Sequence, residues 1–263
     1  MKMKCIVLTE NTSHREDLMA EHGLSLWIET GHHTILFDSG QSDVFYQNAL
    51  KLNLDLNQVD ICILSHGHYD HAGGLKKFLE ANNHARIYMH EKVFGSYWHG
   101  YDKYIGIDAE LRNHPRVVLI EEPLKFDETL TLIPCAHYVP VVPIESYGLC
   151  VKKENELIPD QFEHEIMLEI KENKRIVISG CTHCGIENVM HWLKPDVLIG
   201  GFHLKKVDPV LQKNQLTVLA QNLKNYRTHY YTGHCTGEKQ FLVLKEVLQE
   251  QLDELSAGCC MEV

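Results

Sequence analysis

Six consecutive residues, His66-Gly67-His68-Tyr69-Asp70-His71, place three imidazoles and a carboxylate in one short segment. Imidazole nitrogen and carboxylate oxygen together suit zinc, iron, manganese and similar divalent ions. The preceding run, Val59 to Ser65, is almost continuously apolar and reads as a buried strand. In an extended chain His66 and His68 point to the same side. A turn through Tyr69 and Asp70 then directs Asp70 and His71 to an adjacent position. Two ligand pairs imply two metal ions close together. Gly67 is expected to let the chain turn tightly after the strand, and Gly73 and Gly74 to relax the backbone before the next helix. A closed structural site for one ion would need neither so many candidates nor this glycine-rich mouth.

Two pairs are too few, because zinc takes at least four ligands, one of them often water. Four later segments offer more, each after an apparent strand: Cys181, His183 and Cys184 in ISGCTHCGI, His203 in IGGFHL, His234 and Cys235 in YTGHCTG, and Cys135 and His137 in PCAHY. Cys181 and Cys184 also form a CxxC, which would suit a redox dithiol, or a structural zinc if Cys259-Cys260 in an expected loose tail supplied the other pair. His137 and His203 read equally as loop histidines or substrate hydrogen bonders. Two metals lower the pKa of a water between them, so that hydroxide is available at neutral pH. They also stabilise negative charge on a carbonyl or phosphate oxygen. The expected activity is metal-assisted hydrolysis, or metal-assisted transfer of a phosphate-type group.

The elements that must position these residues alternate along the chain. KCIVLTE reads as a strand, and GLSLWIETGHHTILFDSG as two strands joined at residues 31–33. Residues 41–52 carry Val44, Phe45, Ala49 and Leu52 near one helical stripe. Residues 75–82 read as a helix and ARIYMHE as a strand, so the His/Asp cluster lies on a loop between a buried strand and a helix, where α/β sheets present their chemistry. FGSYWHGYDKYIG reads as a lid, a pocket wall or a packed loop. RVVLIEE and LTLIPC are expected strands, and residues 136–165, with Pro140, Pro143 and Pro159, are expected to be irregular. The second half repeats the rhythm: a hairpin turning at Glu172-Asn173, a helix from GIENVMHWL, the strand PDVLIGGFH, a helix over 212–226, the strand and turn THYYTGHCTG, and a closing helix whose N-cap and early-turn polar groups come from Thr236 to Glu238. This rhythm predicts two β-layers covered by helices on both outer faces. No low-complexity linker separates the halves, so one domain, 1–263, is expected.

With 263 residues, 44% of them hydrophobic, the chain can bury a sizeable core. A formal net charge of -11 argues against a nucleic-acid or anionic-membrane partner, while leaving room for a local basic patch. No opening segment resembles a signal peptide, and the apolar runs are strand-sized, so a cytosolic location without a membrane span is expected. The nine cysteines are odd in number and irregularly spaced, which fits free thiols or occasional ligands better than a disulfide framework. No phosphate-binding or dinucleotide-binding glycine motif is present.

HGHYDH matches the HxHxDH motif of the metallo-β-lactamase-fold superfamily, and Asp38-Ser39-Gly40 resembles the Asp-x-Gly that follows its early hairpin. The resemblance extends over essentially the whole chain. It implies a four-layer αββα sandwich with the site at the edge of the two sheets, His66 and His68 on one metal, and Asp70 and His71 on the other. A narrower resemblance is carried by LTENTSHREDLMAEHGLSLWIE, SHGHYDHAGGL, SGCTHCGIENV, IGGFHL and YTGHCTG. These segments resemble the subgroup named for the methanopterin-pathway dihydropterin synthases, many members of which are simply called metal-dependent hydrolases. The synthases join a dihydropterin pyrophosphate to 4-(β-D-ribofuranosyl)aminobenzene 5′-phosphate and release pyrophosphate. Within the subgroup His183 resembles the third ligand of the first metal and His234 the closing ligand of the second. Many hydrolases of the superfamily have a bridging aspartate after a late glycine. Here Gly180 is followed by Cys181, so that a thiolate bridges, binds one metal, or leaves the position empty.

The resemblance gives catalytic roles to Asp70 and to His203, which follows Gly200-Gly201 and is placed to contact substrate or donate a proton. Two divalent ions are implied, zinc first and iron or manganese as alternatives. The implied partner is a small molecule, and a homodimer is expected on general grounds. Three readings follow: pterin transfer, with Tyr97, Trp98, Tyr101 or Tyr104 stacking on the ring; hydrolysis of an ester, lactone, thioester, amide or phosphodiester; and non-catalytic, metal-dependent small-molecule binding.

Overall fold

The computed structural model describes residues 2–154 and 156–263. Its first sheet has seven strands, in spatial order Cys260–Glu262, Lys4–Thr9, Ser25–Glu29, Thr34–Phe37, Ile61–Ile63, Arg86–His90 and Val117–Ile120. Pairing is antiparallel as far as Thr34–Phe37 and parallel beyond it. The second sheet also has seven, in the order Leu252–Glu254, His229–Thr232, Val197–Ile199, Arg175–Ile178, Ile166–Lys171, Leu130–Pro134 and Leu124–Lys125.

Alternation along each strand decides the layering. Leu26, Ile28, Ile35, Phe37, Ile61 and Ile63 meet Leu132, Ile166, Leu168, Ile176, Ile178 and Ile199 in one buried cluster between the sheets. The intervening residues Trp27, Leu36, Cys62 and Leu64 face outward onto Phe45 and Ala49 of the helix Val44–Lys51 and onto Leu75 and Phe78 of the helix Leu75–Ala81. On the far side Met167, Val177, Leu198 and Tyr230 pack on the helices Ile186–Leu193, Lys213–Lys224 and Glu238–Leu248. The result is the expected αββα sandwich. Its strands read as continuous apolar runs because both faces are covered.

Asn48 is a polar exception on the first outer layer. It is fully buried, accepts the Met19 N–H at 3.0 Å, and donates to the carbonyls of Leu8 at 2.8 Å and Met19 at 2.7 Å. It ties the helix to the first strand and to the segment leading into the second. Asn48→Ala strands those three groups, so urea denaturation is expected to show a loss of about 2–3 kcal/mol.

Several expectations are corrected. Residues 136–165 are not irregular throughout: Leu149–Lys153 and Glu156–Pro159 pair as a hairpin. That hairpin joins Tyr97–His99 and Lys103–Tyr104 in a third, four-stranded sheet. The tail is not loose, since Cys260–Glu262 pairs with Lys4–Ile6. The closing helix has the expected acidic group, Glu238, in its first turn, but its N-cap is Gly237, which has no side chain to cap with, and the Thr236 hydroxyl accepts the Phe202 N–H at 2.9 Å instead. The chain does bend at Gly67, but without a positive φ. A Cβ there would sit 2.3 Å from the Val93 carbonyl, so its value is closeness to the neighbouring segment. Among the described residues no helix is long and apolar enough to cross a membrane.

Candidate metal centre

The segments that carry the candidate ligands leave the carboxyl ends of adjacent strands. Asp38 follows Thr34–Phe37, residues 64–71 follow Ile61–Ile63, residues 179–184 follow Arg175–Ile178, residues 200–203 follow Val197–Ile199, and residues 233–235 follow His229–Thr232. This is the edge at which α/β sheets bind ligands. Asp38, Thr182, His203 and His234 all have positive φ, between 49° and 60°. Such conformations are costly for side-chain-bearing residues and gather where a site over-determines them.

His66, His71, His183 and His234 converge, all buried. His66 Nε2 lies 3.3 Å from His183 Nε2, and His71 Nε2 lies 3.2 Å from His234 Nε2 and 3.2 Å from Cys181 Sγ. Two donor triplets result, His66–Cys181–His183 and His71–Cys181–His234, with Cys181 common to both. A third triplet joins Asp70 and His234 to His22, whose Nε2 is 3.1 Å from the Asp70 carboxylate.

The outer hydrogen bonds fix which face of each ring looks inward. Asp38, fully buried, accepts at Oδ1 from the Ser65 N–H (2.7 Å) and at Oδ2 from the Ser65 hydroxyl (2.7 Å) and His71 Nδ1 (2.7 Å). Because the Ser65 proton is committed to Asp38, Ser65 Oγ receives the Nδ1 proton of His66 at 2.8 Å. Asn11 accepts the Nδ1 proton of His234 at 3.0 Å, its orientation set by its own donation to the His234 carbonyl at 3.1 Å. In neutral rings all three Nε2 lone pairs therefore point inward. Lone pairs facing one another at just over 3 Å repel unless a cation lies between them, so the donor set fits divalent metal.

Electrostatics agree with this arrangement at His66, His68 and His183; at His71 burial favours the neutral ring, but the Asp38 carboxylate outweighs it and raises the pKa, so there a metal must displace a proton. Burial, then the neighbouring imidazoles, holds His66 and His183 well below the usual histidine range. Burial and His164 take His68 down to about 3. These rings stay unprotonated at neutral pH, as ligation requires. Burial pushes the Asp70 carboxyl up, but His22 and His234 beside it outweigh that and hold it well below the usual carboxylate range.

A buried carboxylate also stands behind the later segments. Glu165 accepts the backbone N–H of His183 at 2.9 Å and of Cys184 at 2.8 Å. Glu10 accepts the N–H of His234 and, at 2.7 Å, that of Thr12. Gly180 is required by proximity: a Cβ there would fall 2.1 Å from Ser65 Oγ and 3.1 Å from Asp38 Oδ2.

The structure does not bring every expected residue into this group. The His68 ring lies 4.5 Å from His66 and 4.9 Å from His183, but its own donor triplet is with Asp160 and His164, and its Nε2 has no partner. Cys184 turns away from Cys181 to within 3.1 Å of Cys135 Sγ, so the CxxC does not act as one dithiol. Cys259, Cys260 and His137 enter no donor group among the described residues. Tyr97 packs against His164 at 4.0 Å, Trp98 against Tyr104 at 5.5 Å, and Tyr101 is exposed. None of the four lines the cleft over the centre, which is walled instead by Asp70, His203, Leu149 and the lysines 103, 205 and 206. His203 sits beside the centre, its ring 4.2 Å from that of His183, with neither ring nitrogen hydrogen-bonded. His22, Asn11, Glu10 and Glu165 were not foreseen. Only Gly23 hints at His22, because a Cβ there would meet the Asp70 carbonyl at 2.5 Å and so the segment must pass close to the site.

With this fold and these donors, the chain belongs to the metallo-β-lactamase superfamily and is a metal-dependent enzyme of that fold. The model of the metallo-β-lactamase superfamily matches residues 19–141. Among relatives, an uncharacterised protein of Methanocaldococcus jannaschii is 31% identical over 92% of this chain and 93% of its own length. The 7,8-dihydropterin-6-methyl-4-(β-D-ribofuranosyl)-aminobenzene-5′-phosphate synthase of the same organism is 28% identical over 97% and 95%. Among solved structures, Tm1679, a metal-dependent hydrolase of the β-lactamase superfamily, superposes with a TM-score of 0.80 at 27% identity, covering 99% of both chains.

Proposed function

We propose that this chain, acting as one domain over residues 1–263, hydrolyses an ester or phosphoester bond of a small molecule at a pair of divalent ions. The observation that carries this reading is the inward set of Nε2 lone pairs held by Asp38, Ser65 and Asn11, with Cys181 common to two donor triplets. His66, His183 and Cys181 would hold one ion, joined by His68 through its unpartnered Nε2 if that ring shifts toward them, and Asp70, His71, His234 and Cys181 the other. Imidazole with a shared thiolate favours zinc over iron or manganese. Such ions supply Lewis acidity and a lowered pKa for water.

The rest is the work of the chain. Lys103, Lys205 and Lys206 set positive charge around the cleft of a protein whose net charge is -11, and so favour an anionic substrate. His203 offers a ring nitrogen with no protein partner, from which a proton can pass to the departing alkoxide. The balance is that of hydrolysis: the oxygen of water bonds to carbon or phosphorus, the ester C–O or P–O bond breaks, and the alcohol leaves with a proton. The hydrolase name of the 27%-identical structure supports this reading. The 28%-identical synthase keeps pterin transfer in view as the competing outcome.

Chelation of the purified protein is expected to abolish hydrolysis of bis(4-nitrophenyl) phosphate, and zinc to restore it. Elemental analysis should find two equivalents of metal. Incubation with a dihydropterin pyrophosphate, with and without 4-(β-D-ribofuranosyl)aminobenzene 5′-phosphate, separates the readings. A coupled product formed only with both substrates would establish transfer and defeat hydrolysis. Cobalt substitution tests Cys181: a thiolate-to-cobalt charge-transfer band is expected in the parent and should vanish in Cys181→Ser, whereas an unchanged band would remove Cys181 from the ligand set.

A further inference from the structure

The cleft over the metal centre measures only about 150 Å³, room for a reacting group and little else. A second cavity of about 500 Å³ lies next to it, with His183 and His203 forming part of the wall of both. The second cavity lies within the size range of small-molecule pockets, which are mostly apolar with a few placed polar groups. Val142, Tyr147, Phe202, Leu204, Leu216 and Leu219 supply its apolar lining. Tyr147 stands 5.5 Å from the His203 ring, so an aromatic surface begins where the centre ends. No lysine lines this second cavity, whereas three line the cleft. The charged groups that line the second cavity are Glu145 and Glu187, so positive charge lies on the cleft side of His203 alone.

We propose that the substrate is an anionic ester bearing a flat apolar or aromatic group. Its negative charge lies among Lys103, Lys205 and Lys206, its reacting bond lies at the centre, and its apolar group fills the cavity beyond His203. The proposal rests on the hydrolytic reading for the words "reacting bond", but the two-part recognition can be measured without turnover. A single methylene more or less in a hydrophobic pocket is worth roughly 10–200-fold in discrimination, so a whole aromatic ring should show clearly.

Calorimetric titration of the zinc-loaded protein with 2-naphthylmethylphosphonate, which has no ester bond to hydrolyse, and with methylphosphonate and 2-naphthol tests it. The naphthylmethylphosphonate is expected to bind at least tenfold more tightly than either part alone, and more weakly as salt is raised. Leu219→Trp, which fills the cavity, should cost roughly tenfold in affinity for 2-naphthylmethylphosphonate and leave methylphosphonate within twofold. Leu219→Ala, which keeps the cavity open, guards against a folding defect and should retain binding within about threefold. Equal affinity for 2-naphthylmethylphosphonate and methylphosphonate, or no effect of Leu219→Trp, would overturn the proposal. If the binding pattern holds while no ester is hydrolysed, the recognition stands and the hydrolytic reading falls.

Discussion

His71→Ala is expected to lower hydrolysis by about 10²–10³-fold, with elemental analysis showing loss of metal. His71 is the residue most fully committed to the centre. Its Nδ1 proton goes to Asp38, and its Nε2 faces both Cys181 Sγ and His234 Nε2 at 3.2 Å. Losing one preorganised electrostatic contributor in a closed site commonly costs two to three orders of magnitude. His71→Ala also leaves Asp38 with one partner fewer in a place with no solvent to replace it. Full activity with two equivalents of metal retained would show that His71 supports the fold only.

Asp38→Asn is expected to cost about 10–100-fold in metal affinity or activity, although Asp38 belongs to no donor triplet. Its carboxylate accepts three hydrogen bonds, two of them at Oδ2 from the Ser65 hydroxyl and His71 Nδ1. An amide can accept at only one of its two ends. The NH₂ must then face either a backbone N–H or the pair at Oδ2. In the second case His71 is driven to the other tautomer, with its lone pair outward, and Ser65 loses the acceptor that fixes His66. The check is a zinc-buffer titration of Asp38→Asn beside Asp38→Glu. Unaltered zinc affinity in Asp38→Asn would break the link drawn from Asp38 to the rings.

The cluster 66–71 was legible because local spacing alone gathers its donors. His183, His234 and Cys181 could be placed only by likeness to other chains, since 117 positions separate His66 from His183 and 163 separate His71 from His234. Of the residues that orient the rings, Asp38 shows in the sequence only through the likeness of Asp38-Ser39-Gly40, and Asn11 and Glu10 left almost no trace. Asn11 and Glu10 are an ordinary Glu-Asn pair after a strand until the fold sets them against His234, more than 220 positions away. The strands were readable where both faces are apolar. Leu149–Lys153 and Glu156–Pro159 were missed because they are only half-buried and carry Lys, Glu and Pro. The aromatic run near Tyr97 allows a lid, a pocket wall with ring stacking, or a packed loop, and packing is what it does: Tyr97 spends its face on His164 and Trp98 on Tyr104, while the apolar cavity lies beyond His203.

The inward-facing lone pairs have a consequence for folding. Without a cation, the native state must hold repelling nitrogens together in a dry interior, a strain the unfolded chain escapes. Metal that binds the native form alone then adds stability as the logarithm of its free concentration over the dissociation constant, about 2.7 kcal/mol at a hundredfold excess. Thermal stability becomes a gauge of free metal, and protons compete for the same lone pairs as the pH falls. The melting temperature of the purified protein should therefore rise stepwise along a series of zinc buffers, even where no substrate is at hand to report on activity.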